Sequence, residues 1–229
     1  MKKSYLLLSA VIGVLSFSAC TDAPESDTAT TSEAKTAASA SGEAYTVDPS
    51  ASKIEWIGTK VTGHHQGSLA IKSGTINVQS GNVASGEFVL DMTSIAVTDG
   101  DDTASNNKLK GHLLSPDFFD ASTHPEGKFV VTSVQPFSGT VADSSDKAQE
   151  GISKYKVTDP THTISGNLTL KGVTKNVTFP AKVSLTDSGI EALAKFNINR
   201  KEWGIVYAGK PDDLIRDAIH LGISLKANK

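Results

Sequence analysis

Beyond Tyr45 the chain alternates apolar and polar side chains with period two, most cleanly in its second half. Val177, Phe179, Ala181, Val183 and Leu185 form one row, and Asn176, Thr178, Pro180, Lys182 and Ser184 stand between them. Successive side chains of a strand point to opposite faces, so this pattern predicts a strand buried on one side. The same rows recur in Ile164, Gly166, Leu168 and Leu170; in Phe88, Leu90 and Met92; and in Phe129 and Val131. They recur again in Ala192, Ala194, Phe196 and Ile198, and in Ile219, Leu221, Ile223, Leu225 and Ala227. One apolar face per strand calls for a closed sheet or two stacked sheets. Lys72-Ser73-Gly74, Ser80-Gly81-Asn82, Lys171-Gly172 and Asp187-Ser188-Gly189 supply turn chemistry at strand-length intervals, which predicts an antiparallel meander. Strands of about nine residues at roughly 3.3 Å each give inward faces about 30 Å long.

Ser105 to Phe119 breaks the alternation. Leu109, His112 and Leu113 recur there at helical spacing, and Ser115-Pro116 reads as an N-cap followed by a first-turn proline. One short helix and a second helical turn are expected. Another helical turn is expected near Asp212 to Ala218, and the aperiodic stretch from Ala142 to Asp159 predicts a long excursion between strands.

The N-terminus has a different character. Lys2 and Lys3 precede an apolar run from Leu6 to Phe17 that is too short for a spanning helix, and Phe17-Ser18-Ala19-Cys20 ends it as a lipobox. Residues 1–19 are therefore expected to be a lipoprotein signal peptide, with Cys20 the lipidation site and new N-terminus. Residues 20–43 hold no large apolar side chain and read as a flexible tether. Residues 44–229 form the folded domain. The expected setting is a bacterial cell envelope, facing the periplasm, with a membrane as partner through the acyl anchor. Cys20 is the sole cysteine, so no intrachain disulfide is available. The net charge of −3 falls mostly before residue 44, and a nearly neutral domain argues against nucleic acid as a partner.

Arg200 is the next member of the row Ala192, Ala194, Phe196, Ile198, so alternation aims a guanidinium at the interior. It needs a partner there. One reading is a clamp for a ligand head group; the other is an internal ion pair with Asp217 or Asp120. His112 shares a helical face with Leu109 and either meets a ligand or plugs the structure. His64 and His65 are adjacent and point to opposite faces of a strand, so they cannot share one metal, and no metal site is expected. No nucleophile elbow, P-loop or dinucleotide fingerprint is present, and Asp99, Asp101 and Asp102 read as a solvated loop. No catalytic residues and no cofactor are assigned.

Several separated blocks occur in one order: Tyr45-Thr-Val-Asp48-Pro49 with Ser52 and Trp56; His64 to Leu69; Gly86 to Ile95; Lys108 to Asp120; His124-Pro125 before Phe129; Gly166 to Thr174; and Asn199-Arg200 with Trp203-Gly204. In that order they resemble the YceI-like family over Ala44 to Asn228. The resemblance implies an all-β, lipocalin-like, extended eight-stranded antiparallel barrel with one or two short helices. It implies a long apolar ligand inside: a polyisoprenoid, an isoprenoid quinone or a fatty amide. Leu109, His112, Leu113, Phe118 and Phe119 match the family's helical block, and Arg200 matches the arginine of its late strand. With the inward rows, the expected ligand-binding set is Trp56, Phe88, Leu90, Met92, Leu109, His112, Leu113, Phe118, Phe119, Phe129, Leu168, Leu170, Phe179, Phe196, Ile198 and Arg200. A barrel filled by its own side chains, serving a structural or stress-response role, is the alternative, with an enzyme acting on a lipid behind it. A homodimer is left open.

Overall fold

A computed structural model describes residues 22–139, 154–186 and 188–229. The expected signal peptide, Cys20, Asp187 and most of the excursion from Ala142 to Asp159 lie outside the described residues.

The described chain folds as β1 (Thr30–Glu33), β2 (Glu43–Val47), β3 (Lys53–Lys60), β4 (Gly63–Gln79), β5 (Asn82–Val97), α1 (Thr103–Leu114), β6 (Glu126–Pro136), β7 (His162–Leu170), β8 (Val173–Thr186), β9 (Gly189–Asn199), a 3₁₀ turn (Arg200–Trp203), β10 (Gly209–Lys210) and β11 (Asp213–Asn228). β3 to β9 run as an antiparallel meander, and β11 closes the ring by pairing with β9 on one side and β3 on the other. This is the expected eight-stranded barrel. Its first strand is broken: β2 pairs with the far half of β4 and the tail of β11, and β3 pairs with the near half of β4. The strands are longer than expected, up to 17 residues in β4, or roughly 55 Å of contour. The nine-residue estimate fails because β-bulges interrupt the alternation inside β4, β5 and β6 and hide their continuity.

The helix lies where periodicity put it, with different ends. Asp102 caps it by accepting from the Ser105 amide, and Ser115 closes it, its hydroxyl donating to the His112 carbonyl at 2.7 Å. Ser115-Pro116 thus ends α1 instead of opening a helical turn. Beyond it the chain makes a hydrogen-bonded turn in which the Phe118 and Asp120 amides donate to the Ser115 carbonyl. The helical turn expected at Asp212 to Ala218 is strand, with a bulge between Ile215 and Ile219. The extra residues mimic helical spacing of apolar side chains, and the 3₁₀ turn occurs instead at Arg200–Trp203.

The flexible-tether reading is corrected from Asp22 onward. β8 pairs with β9 only through Ala181–Thr186, and above that the two strands part. Residues 27–33 fill the gap as a wedge. Asn197 of β9 donates its amide to the Asp27 carbonyl at 2.7 Å and accepts from the Ala29 amide at 2.9 Å, and β1 then pairs antiparallel with Lys175–Thr178 of β8. The chain continues across the outer wall, where Asn167 of β7 holds the Lys35 backbone from both sides and the Ala38 amide donates to the Val131 carbonyl at a β6 bulge. An edge position is held by main-chain hydrogen bonds worth about 1 kcal/mol each, so large side chains are not required. Ala29 is the one buried apolar residue of the wedge.

Candidate functional site: an apolar cavity under a helical lid

The alternation that builds the wall also builds its lining. Inward side chains of the eight strands enclose a cavity of about 830 Å³, in the upper range for small-molecule sites. The described interior is therefore hollow. All sixteen side chains expected from the sequence line this one cavity. They fall into two tiers.

The deep tier is aromatic and aliphatic. Phe88 of β5, Phe129 of β6, Phe179 of β8 and Phe196 of β9 form a chain of rings, with centroid separations of 6.1, 5.9 and 4.0 Å, the last pair stacked. Phe129 lies over Gly166, where any Cβ would collide with its ring. Leu90, Met92, Leu168, Leu170 and Ile198 complete this tier and are buried.

The upper tier is formed by α1 and the chain after the 3₁₀ turn. Leu109 and Leu113 face inward from the helix, and the turn after Ser115 brings in Phe118 and Phe119. His112 is wedged edge-on between the rings of Phe118 and Tyr207, each at 4.8 Å, with its Nε2 3.1 Å from Asp117 Oδ2. It is a lid residue held by neighbours. His65 and His64 take opposite faces, and only His65 joins the lining, with Nδ1 2.5 Å from Asp99 Oδ2. Among the described residues no three His, Cys, Asp or Glu side chains converge on one point.

Arg200 lines the cavity, yet its guanidinium is committed to the protein. It is 4% exposed. Nη1 donates to the Ile205 carbonyl at 2.6 Å, Nε to Arg216 at 3.1 Å and Nη2 to Ile215 at 3.3 Å, with Asp217 Oδ1 at 3.4 Å. The Ile215 and Arg216 carbonyls belong to the β11 bulge, where the ladder to β3 is interrupted. Burial lowers the Arg200 pKa and Asp217 opposes that shift. The position continues the inward row, but β9 ends at Asn199, and the 3₁₀ turn directs the side chain to the carbonyls it satisfies.

Polar groups facing the ligand space are few. Trp56 Nε1 and Thr59 Oγ1 are buried with no hydrogen-bond partner, and both residues line the cavity. At the rim Asp213 accepts from Lys60 at 2.6 Å and from the Thr62 amide and hydroxyl, which holds its pKa down to about 2, the Lys60 bond being the largest cause. Ile205, Tyr207 and Ile215 also line the upper tier and escaped the sequence reading. The short alternation Ile205, Tyr207 was their signal, obscured by the irregular chain around Gly204 and Gly209.

A hollow of this shape, lined mainly by apolar side chains and with few fixed polar groups, suits a long hydrocarbon. The model of the YceI-like domain family matches residues 45–227. Among the solved structures that share the fold are Burkholderia cenocepacia BcnA, with a TM-score of 0.56, 20% identity, and coverage of 80% of this chain and 99% of that one; and a polyisoprenoid binding domain from Saccharophagus degradans implicated in plant cell wall breakdown, with 0.55, 16%, 80% and 97%. No curated protein matches the chain.

Proposed function

Since this chain belongs to the YceI-like family, we propose that its barrel binds a long apolar lipid, a polyisoprenoid, isoprenoid quinone or fatty amide, and sequesters or carries it in the cell envelope. The observation that carries this reading is the hollow itself: about 830 Å³ lined by inward rows from all eight strands. A self-filled structural barrel would leave no such space. The polyisoprenoid binding of the Saccharophagus domain, which shares the fold, supports the ligand class. Binding is driven by desolvation, at most about 4 kcal/mol per buried isoprene unit before ordering costs, so affinity rises with chain length until the cavity is full. The lipobox ending in Cys20 supports attachment to a membrane, facing the periplasm, with the apolar ligand and the acyl anchor as two lipid contacts.

Native extraction of the purified protein into organic solvent, followed by mass spectrometry, tests the reading. A stoichiometric long-chain lipid is expected. An extract free of lipid, from protein that also fails to take up added prenyl chains, overturns it.

A further inference from the structure

Among the described residues, the large apolar side chains left exposed are Val61, Leu185, Val206 and Leu214. Isolated exposed apolar residues are ordinary, but three of these four occupy the same end of the barrel. Val61 sits in the β3–β4 hairpin and donates its amide to the Leu214 carbonyl at 3.2 Å, at the start of β11. Val206 stands in the connection between the 3₁₀ turn and β10. Leu185 is at the opposite end, at the close of β8.

The cavity meets solvent at the end that holds the three. Its exposed lining residues, Ser105 and Lys108 of α1 and Lys210 of β10, all lie there. The ledge of Val61, Leu214 and Val206 therefore rims the mouth.

An independent observation concerns the N-terminus. The described chain begins at Asp22, whose carboxylate lies 3.3 Å from Arg216 Nε, two residues beyond Leu214. Asp22 and Cys20 are two residues apart, at most about 7 Å of chain. A lipidated Cys20 would stay within that length of chain from the same rim, because the wedge fastens residues 27–33 and removes the slack a free tether would have.

We propose that this rim is a docking surface for a lipid bilayer: the barrel rests mouth-down, with Val61, Val206 and Leu214 in the interfacial layer beside the N-terminal anchor. The inference rests on the lipid-carrier reading and deepens it. The acyl chains of a lipidated Cys20 tether the protein stably but leave it free to rotate about the anchor, and the ledge supplies the orientation. A ligand then passes between bilayer and cavity without exposing its length to water.

The test uses the full chain on vesicles of phosphatidylethanolamine and phosphatidylglycerol containing brominated phosphatidylcholine. Val206→Trp and Leu185→Trp each place a fluorophore at an exposed site, and the parent protein supplies the background of Trp56 and Trp203. The Val206→Trp signal is expected to shift to the blue and be quenched beyond the background, and the Leu185→Trp signal to match the background. In addition, Val206→Asp combined with Leu214→Asp should slow uptake of a prenyl lipid from vesicles at least about fivefold, while uptake of the same lipid from detergent solution stays unchanged. Equal quenching at both sites, or attachment without quenching at Val206, overturns the docked orientation while leaving the anchor standing. Failure of the parent to attach overturns docking and anchor together; loss of uptake from detergent in the parent overturns the carrier reading.

Discussion

His220 of β11 and Asn197 of β9 meet at 2.9 Å, Nδ1 to Oδ1, on the outer face of the barrel beneath the N-terminal wedge. Asn197 Nδ2 donates to the Pro24 carbonyl, so its oxygen faces the imidazole and His220 carries its proton on Nδ1. Tyr155 packs edge-on against the ring at 5.3 Å, and the Lys195 ammonium lies near enough to disfavour a second positive charge. Burial first, and Lys195 second, lower the His220 pKa from 6.5 to about 4. Between those two values the unfolded chain takes up a proton that the folded chain refuses, so stability falls as pH drops from 6.5 and levels off below 4. His220 is only 4% exposed, so solvent screens little of this effect, and the loss is up to about 3 kcal/mol at 1.36 kcal/mol per unit. Chemical denaturation at pH 7 and pH 4.5 should show it, and His220→Gln should flatten the slope; an unchanged slope in that variant would assign the pH dependence to other groups.

Arg200→Met keeps stem volume and removes the donors that satisfy Ile205, Ile215 and Arg216. The expected result is a loss of about 2 to 4 kcal/mol of stability in the empty barrel. Arg200→Lys should not restore it, since a point ammonium cannot span three carbonyls. Head-group discrimination should be little changed. Thermal melting of the apo protein and affinity for head-bearing and bare prenyl chains, measured on the same variants, check both halves.

Leu168→Asp places a carboxylate in the deep tier, where Leu168 is buried and lines the cavity. Thr169→Asp, on the opposite face, loses one hydroxyl contact to Thr174 at 2.8 Å. Co-purified lipid should disappear from the first variant and persist in the second. Equal lipid content in two folded variants would contradict the register seen here.

Gly67→Ala should be severely destabilising, because its Cβ would sit within 2.7 Å of the Trp56 indole and on the Ala96 carbonyl oxygen. Gly63→Ala, four residues earlier in the same strand, meets nothing within 4 Å and should be nearly neutral. A difference of about 2 kcal/mol or more in urea midpoint-derived stability is expected between them.

The barrel was legible because long rows such as Val177 to Val183 admit one burial pattern, and the cavity wall follows from the same rows. Leu185 continues that row in sequence but is exposed, since β8 runs past the end of the interior. Arg200 was placed correctly on the interior side and Asp217 stood among its expected partners, but the Ile215 and Arg216 carbonyls did not. Those are carbonyls freed by a bulge fifteen residues downstream, and backbone acceptors leave no mark in a side-chain pattern. The wedge was missed for a related reason. Thr28, Thr30 and Thr31 tolerate strand geometry, but a strand held by main-chain bonds to two distant edges has no apolar row to announce it.

The wedge also sets an order of assembly. Thr30 faces Thr178, and Ala29 bonds to Asn197, so the earliest described strand pairs with some of the latest. Ribosomes deliver the N-terminus first, and loop closure across such separations is slow. Residues 22–33 must therefore wait without partners until β8 and β9 exist, and the final stitch in the wall is made by the first segment to emerge. The scarcity of large apolar side chains in that segment then acquires a kinetic meaning: a waiting strand of threonine, alanine and acid presents little for another chain to aggregate with.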